Sequence, residues 1–251
     1  MRIIISPAKQ MVTDDLTTGP TGTPVFLDQA RRILEHLQVL TYDQAKALWG
    51  CSEKLAQMNF ARLQDLDLER NLTPAVLAFD GIAFKYMAPS VFEDGQFDYV
   101  QEHLRILSGF YGALRPLDGV VPYRLEMQSK AAIDGARDLY ELWGDRIYQQ
   151  VLDGDRVVVN LASKEYSKCV ERYLQPQDRL VTCVFGELTD AGKVVQKGVY
   201  AKMARGDMVR FMAENNVTDP AGMQAYDRLG YRFSPERSTE SQYVFLKDPS
   251  A

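Results

Sequence analysis

Apolar residues recur at intervals of three and four positions in several parts of this 251-residue chain. This spacing is typical of helices with one buried face, and it is clearest between residues 24 and 40. Further segments of this kind follow Thr41, Ser52, Asp98 and Asp138, residue types whose side-chain oxygens cap helices. The pattern predicts a chain rich in amphipathic helices, with the helix at Asp98 running through Leu107.

Uninterrupted apolar runs alternate with these helical segments and predict buried strands. They occupy residues 2–5, 75–79 and 156–161. The segments 179–188 and 193–200, joined by a Thr-Asp-Ala-Gly turn, predict a hairpin. Strands that alternate with helices place the chain in the α/β or α+β class, as one large domain or two modest ones.

The run from Leu107 to Met127 reads LSGFYGALRPLDGVVPYRLEM and is dense in glycine, proline, arginine and tyrosine. Glycine allows backbone conformations that a side chain forbids, and proline restricts the residue before it. We expect a stiff, exposed turn on which Arg115, Tyr123 and Arg124 are suited to phosphate or nucleotide contact. The alternative is a glycine-capped helix end whose arginines pair with neighbouring carboxylates.

Three further runs, residues 6–9, 160–168 and 201–210, place cations at the boundaries of predicted elements. Small residues beside these cations let a ligand approach backbone N–H groups, an arrangement that suits phosphate. The predicted nucleic-acid-binding residues are Lys9, Arg115, Tyr123, Arg124, Lys164, Lys168, Lys202, Arg205 and Arg210. Tyr123 and Tyr166 would add the stacking surfaces that a nucleic-acid groove uses.

The formal net charge of −5 argues against a protein that coats nucleic acid through bulk positive charge. Residues 160–210 nevertheless carry nine Lys or Arg against six Asp or Glu, which fits a local basic cleft. The three cysteines lack disulfide or zinc-site spacing and indicate a reducing cytoplasm. No apolar run has the length of a signal-peptide core or a membrane span, so we expect neither export nor membrane insertion.

The usual catalytic signatures are missing from the sequence, which has no GxGxxG, GxxxxGK[ST], HExxH or GxSxG motif and only two histidines. We therefore predict no catalytic residues, no metal ligands and no cofactor, and we favour a binding function over an enzyme. A Ser/Lys pair, Ser6 with Lys9 or Ser163 with Lys164, stays open, because a desolvated lysine can act as a base.

Five runs of this chain resemble the signature runs of the YaaA family, also called the peroxide stress protein or DUF328/UPF0246 family. They occur in family order across nearly the whole chain, as Ser6–Lys9, His103–Asp118, Pro122–Met127, Asn160–Lys168 and Ala201–Arg210. The resemblance implies a cytoplasmic bacterial protein of the hydrogen peroxide response. It also implies an association with limiting free iron and oxidative damage to DNA and protein.

The resemblance further implies one mixed α/β domain over residues 1–251, with a mixed central sheet surrounded by helices in an unusual topology. A positively charged cleft that binds duplex or branched DNA comes with the family, as does a helix-hairpin-helix-like element, which would fall on residues 107–113. No enzymatic activity is implied.

Two alternatives to DNA binding remain open. The same cations can form an anion clamp in an enzyme that acts on a phosphorylated or nucleotide-like small molecule, a hypothesis that the acidic total charge favours. Cys169, near Lys168 and Arg172, is a candidate peroxide-sensing thiol, because neighbouring cations lower a thiol pKa.

Overall fold

Helices and strands alternate along the chain in the computed structural model, which describes residues 1–13 and 19–248. The strands are β1 (Arg2–Ile5), β2 (Gln10–Met11), β3 (Thr73–Pro74), β4 (Phe79–Asp80), β5 (Leu104–Ser108), β6 (Gly112–Leu114), β7 (Gly119–Val120), β8 (Val157–Leu161), β9 (Arg179–Leu188), β10 (Val194–Val195), β11 (Tyr231–Phe233) and β12 (Gln242–Lys247). The α-helices are α1 (Leu27–Gln38), α2 (Tyr42–Trp49), α3 (Glu53–Gln64), α4 (Ala75–Ala78), α5 (Ile82–Met87), α6 (Asp94–His103), α7 (Leu139–Trp143), α8 (Arg146–Val151), α9 (Lys164–Glu171) and α10 (Gly198–Glu214). Short 3₁₀ helices cover Pro89–Val91, Pro220–Ala225 and Pro235–Arg237.

The main sheet is mixed, with the strand order β11-β12-β9-β8-β1-β5-β6. Every neighbouring pair from β12 to β5 is parallel. β11 and β6 add antiparallel edges, and β10 pairs antiparallel with the end of β9. The architecture confirms the predicted mixed α/β class. The β9–β10 pairing confirms the predicted hairpin only in part, because β10 covers Val194–Val195 and residues 198–200 begin helix α10.

Strand β1 lies in the middle of this sheet, between β5 and β8. Ile3 stands opposite Leu104 on one side and Val159 on the other. Successive side chains of a strand point to opposite faces, and Ile3, Ile4 and Ile5 are all buried, so both faces of β1 are covered. The strand predictions for residues 2–5 and 156–161 are therefore confirmed.

The connections of the sheet diverge at β1. After β1 the chain first adds β5 and β6 on one side of β1. It then crosses to the other side of β1, where it adds β8 and, farther out, β9. In open sheets with parallel strands, ligands bind outside the carboxyl ends of the strands where the order reverses in this way. The carboxyl ends of β1 and β8 thus border the expected ligand crevice.

Two close backbone contacts position the walls of this crevice. A Cβ atom on Gly206 of α10 would lie 2.6 Å from the carbonyl carbon of Ala83 in α5. One on Gly81 would lie 2.6 Å from Cβ of Ala8, in the loop after β1. Nonbonded carbon atoms approach to about 3.5–4.0 Å, so these packings require glycine. They tie α10, α5 and the loop after β1 into one arrangement.

The segment 107–127 differs from its prediction. Apart from Arg115, Leu117, Arg124 and Glu126, its residues are buried, so it is not an exposed turn. β5 and β6 form an antiparallel β-hairpin, and the expected helix-hairpin-helix-like element at residues 107–113 is therefore wrong. The physical reason is burial of the hairpin tip: Phe110 is fully buried, and the Trp143 indole N–H donates to the Gly109 carbonyl at 3.0 Å.

Two other element predictions are also wrong. Residues 75–78 form helix α4 instead of a strand, and the N–H groups of Ala75 and Val76 donate to the carbonyls of Asp118 and Pro116. Helix α6 begins at Asp94 and ends at His103, because the following residues pair with β1 as strand β5. In both cases contacts from distant parts of the chain decide the structure.

The remaining helix predictions agree more closely with the structure. α1 lies within residues 24–40, and Thr41 caps α2 by accepting the Gln44 N–H at 3.3 Å. Asp138 caps α7, but Gly144 with a φ of 52° ends it, so the single helix expected after Asp138 is divided into α7 and α8. No helix within residues 1–13 and 19–248 is both long and apolar enough to cross a membrane.

Candidate functional site

A cavity of about 380 Å³ lies at the carboxyl ends of β1 and β8, and we call it the switch-point cavity. Its walls come from the loop after β1, the start of α5, the segment around Arg124, the start of α9 and helix α10. Its charged lining consists of Lys9, Asp80, Arg124, Glu126, Glu165, Lys202 and Arg205. Small-molecule sites have volumes of about 300–1,000 Å³, so the cavity can enclose one compact ligand.

Two serines join the strand ends below the cavity. The Ser163 N–H donates to Ser6 Oγ at 2.8 Å, and the Ser6 hydroxyl donates to Ser163 Oγ at 3.1 Å. Ser163 is also the residue that precedes α9. The described hydrogen bonds of these hydroxyls thus connect β1 to β8 and involve no lysine, so the geometry does not favour the Ser/Lys hypothesis.

Helix α10 supplies a wall of cations without counter-ions. Lys202 and Arg205 are three positions apart and share one helix face. Neither has a hydrogen bond or ion pair within the described chain, and Arg205 Nε is buried without an acceptor. Burial lowers the pKa of Arg205, and the nearby Cys183 thiol opposes this only in part. A desolvated guanidinium without a partner is costly, so this wall is suited to receive an anion.

The wall that faces the loop after β1 carries carboxylates. Glu126 accepts from Lys9 at 2.7 Å and from Arg124 at 3.3 Å. Glu165 accepts the Gln128 N–H at 3.2 Å, and burial raises the pKa of its carboxyl. The switch-point cavity is therefore mixed in charge: Lys202 and Arg205 on α10 are unpaired in the described chain, whereas Lys9 and Arg124 pair with Glu126. No group of three or more His, Cys, Asp or Glu in the described residues has the arrangement of a metal site.

The structure brings five of the predicted site residues to the switch-point cavity: Lys9, Tyr123, Arg124, Lys202 and Arg205. The side chain of Arg124 is only 8% exposed, and its Nε has no partner in the described chain. Tyr123 stacks on Phe110 at 4.8 Å, and its hydroxyl bonds to Ser108 at 2.6 Å. Tyr123 is thus held in the core and does not offer a free stacking face.

The other four predicted residues do not line the cavity. Arg115 follows β6, which runs antiparallel to β5. It therefore lies near the amino ends of the parallel strands, whereas the cavity lies at their carboxyl ends. Lys168 lies over the Tyr140 ring at 4.5 Å, and Arg210 pairs with Glu214 at 2.7 Å. Lys164 is exposed at the first position of α9.

Sequence reasoning missed Glu165 and the residues of the α5 wall as parts of the site. Glu165 stands two positions after Ser163, at the start of a helix that follows a buried strand. That position is a usable signal, because the end of a parallel strand is where sites form. The α5 wall gives no such signal, since Gly81 resembles an ordinary turn glycine until its contact with Ala8 is known.

Two of the three cysteines, Cys169 and Cys183, do not resemble peroxide-reactive thiols. Cys169 and Cys183 are buried, and burial raises the pKa of each thiol to about 12. The cations expected to activate Cys169, Lys168 and Arg172, lie against the ring of Tyr140. Because the thiolate is the reactive species, a raised pKa disfavours the thiol-sensor hypothesis for Cys169.

Comparisons with known proteins cover the whole site. A family model described as Peroxide stress protein YaaA matches residues 1–237. A UPF0246 protein of Agathobacter rectalis is 54% identical over 245 residues, which cover 98% of each chain. UPF0246 proteins of Lachnoclostridium phytofermentans and Pediococcus pentosaceus are 50% and 51% identical, covering 100% and 99% of this chain and 98% of their own. The chain therefore belongs to the YaaA family of peroxide stress proteins, whose relatives carry the name UPF0246.

Proposed function

We propose that this protein acts in the cytoplasm during peroxide stress by binding DNA at the switch-point cavity. The observation that carries the proposal is the wall of α10, where Lys202 and Arg205 have no partner in the described chain. A DNA phosphate would supply the charge and the acceptor oxygens that this wall lacks. Family membership supports the setting in peroxide stress.

The net charge of −5 requires that such binding be local. The negative net charge opposes a polyanion, so phosphates are held only where unpaired cations are concentrated. Lys9 contributes less than the α10 cations, because its side chain is 64% exposed at the cavity but pairs with Glu126. The proposal includes the protective outcome that the family resemblance implies, limited free iron and less oxidative damage to DNA.

Fluorescence anisotropy with single-stranded, duplex and junction DNA tests the proposal, with a salt titration for each. We expect Lys202→Ala and Arg205→Ala to weaken binding and to lower the salt slope by about 0.9 for each duplex phosphate that is no longer neutralised. Lys164→Ala is the matched control, because it removes an equal charge from an exposed position outside the cavity. Equal affinity of the wild type and both α10 variants would contradict the proposal.

An enzyme acting on a phosphorylated or nucleotide-like small molecule is the second candidate. The observation that favours it is the presence of Glu126 and Glu165 in the same enclosed cavity as the unpaired cations. Binding to the folded state raises stability, by about 2.7 kcal/mol when the ligand is present at one hundred times its Kd. A thermal-shift screen that shows stabilisation by phosphate esters but none by DNA would support this candidate over DNA binding.

A further inference from the structure

The switch-point cavity has two chemically different ends. Lys202 and Arg205 form one end, and the titratable group that acts on the Arg205 guanidinium within the described chain is the Cys183 thiol, not a carboxylate. Glu126 and Glu165 form the other end, where Lys9 pairs with Glu126 at 2.7 Å and where burial, with a smaller contribution from the Glu126 charge, raises the pKa of the Glu165 carboxyl. A ligand that fits both ends must be anionic at one side and a hydrogen-bond donor at the other.

The lining that completes the cavity is largely apolar. Ile5, Phe84, Leu125 and Leu161 contribute to it. Such a surface accommodates a flat, weakly polar group and not a sugar–phosphate chain, which needs water or cations along its whole length. Glu165, which has no ion pair in the described chain, adds to this restriction because its carboxylate repels a phosphate at that end of the cavity.

We propose that the switch-point cavity receives a single nucleotide unit, with its phosphate on Lys202 and Arg205 and the donor edge of its base toward Glu126 and Glu165. If the nucleotide belongs to a DNA strand, this inference rests on the proposed function. The nucleotide would then rotate out of the base stack and into the cavity. The shared chemistry is one phosphate and one base, so a free nucleotide is the second possible source. The cavity volume of about 380 Å³ supports a single unit over a duplex.

Guanine is the base that this cavity fits best. A carboxylate only accepts hydrogen bonds, and the pairing edge of guanine offers two neighbouring N–H donor groups. Cytosine and adenine offer one amino group beside an acceptor, and thymine offers one N–H between two carbonyl oxygens. We therefore expect the order guanine, then cytosine and adenine, then thymine.

Calorimetric titration with dGMP, dCMP, dAMP and dTMP tests the site directly. We expect dGMP to bind most tightly, and Lys202→Ala to weaken all four by about tenfold or more, since it removes a charge-assisted contact to phosphate. Glu165→Gln should weaken dGMP more than dTMP, because the amide replaces one of the two acceptor oxygens with a donor and the two N–H donor groups of guanine need both acceptors. Lys164→Ala should leave all four affinities unchanged. Absence of binding by every mononucleotide, or equal loss of dGMP and dTMP affinity in Glu165→Gln, would overturn the proposal.

A second measurement separates the strand-bound from the free nucleotide. Anisotropy compares a fully paired duplex with one that contains a single unpaired guanine, with and without dGMP as competitor. Tighter binding of the second duplex and its displacement by dGMP support a nucleotide held within a strand. DNA binding that dGMP does not displace would overturn the nucleotide site while leaving DNA binding intact. Binding of dGMP without any DNA binding would support the site and contradict the proposed DNA function.

Because Glu165 accepts a backbone N–H, Glu165→Gln is compared with the wild type by circular dichroism before any titration. The exposed Lys202 makes no hydrogen bond in the described chain, so Lys202→Ala carries no such risk to folding. The affinity of Lys202→Ala for the four nucleotides therefore tests the contact with phosphate, even if Glu165→Gln is unstable.

Discussion

Replacing Gly206 by alanine should force α10 away from α5. The added Cβ would lie 2.6 Å from the carbonyl carbon of Ala83 and 2.9 Å from its Cα. Nonbonded carbon atoms approach to about 3.5 Å, and the Ala83 carbonyl oxygen lies even closer to the added Cβ than its carbon does, so the helices must separate by at least about 1 Å. The obstacle is backbone, which cannot rotate aside as a side chain does. Overpacking of this kind costs about 1–3 kcal/mol, and we expect a loss of about 3 kcal/mol here.

Urea unfolding followed by tryptophan fluorescence measures this loss. With a slope of about 3 kcal/mol per molar urea, the midpoint should fall by about 1 M. Gly198→Ala is the matched control in the same helix, because no atom lies within 4 Å of its added Cβ. It should change the free energy of unfolding by less than about 0.5 kcal/mol. If Gly206→Ala and Gly198→Ala unfold at the same midpoint, the close contact between α10 and α5 does not exist.

Three further predictions concern the core, pH dependence and thiol reactivity. Trp143→Phe removes a fully buried indole that donates to the Gly109 carbonyl and should cost about 2–4 kcal/mol in urea unfolding; a loss like that of Gly198→Ala would contradict it. Burial raises the pKa of Asp118 from 3.8 to about 6, so the folded state binds this proton more tightly than the unfolded chain. The contribution of Asp118 to stability therefore falls as pH rises from about 4 to about 6. Asp118→Asn should remove that decline from the free energy of unfolding measured across this range. Parallel plots of unfolding free energy against pH for the two proteins would refute the assignment. Thiol labelling of the native protein should modify the partly exposed Cys51 before Cys169 and Cys183, which should react only after urea is added; rapid labelling of Cys169 would restore the sensor hypothesis.

The sequence predicts those parts of the fold that local pattern determines. Three consecutive isoleucines in β1 and the valines of β8 leave no polar alternation, so buried central strands are the natural prediction. Residues 75–78 have an equally apolar composition but form a helix, because their N–H groups meet carbonyls from residues 116 and 118. Residues 104–107 continue a helical spacing yet pair with β1. Neither partner is visible from the segment itself.

The candidate site divides in the same way. Residue type and position after strand ends suffice to select Lys9, Lys202 and Arg205, which the fold brings to one cavity. The same criteria also select Lys168 and Arg210, whose charges are occupied by Tyr140 and Glu214. Whether a cation is free depends on its neighbours in the fold. The partner of Arg210 lies on the same helix, whereas Tyr140, the partner of Lys168, lies on a different helix. Sequence patterns therefore overestimate the positive charge of the cavity and miss Glu165, although the alternative of arginines paired with neighbouring carboxylates is realised by Arg124 and Glu126.

The central position of β1 also imposes an order on folding during synthesis. Its sheet partners β5 and β8 begin at residues 104 and 157, so residues 2–5 have no neighbouring strand until much of the chain has left the ribosome. Pairings over such separations form slowly, and an unpaired apolar strand is exposed to chaperones and to other chains in the meantime. Because β8 adds to the sheet beside β1 and β9 adds beside β8, the nascent chain completes its central sheet late.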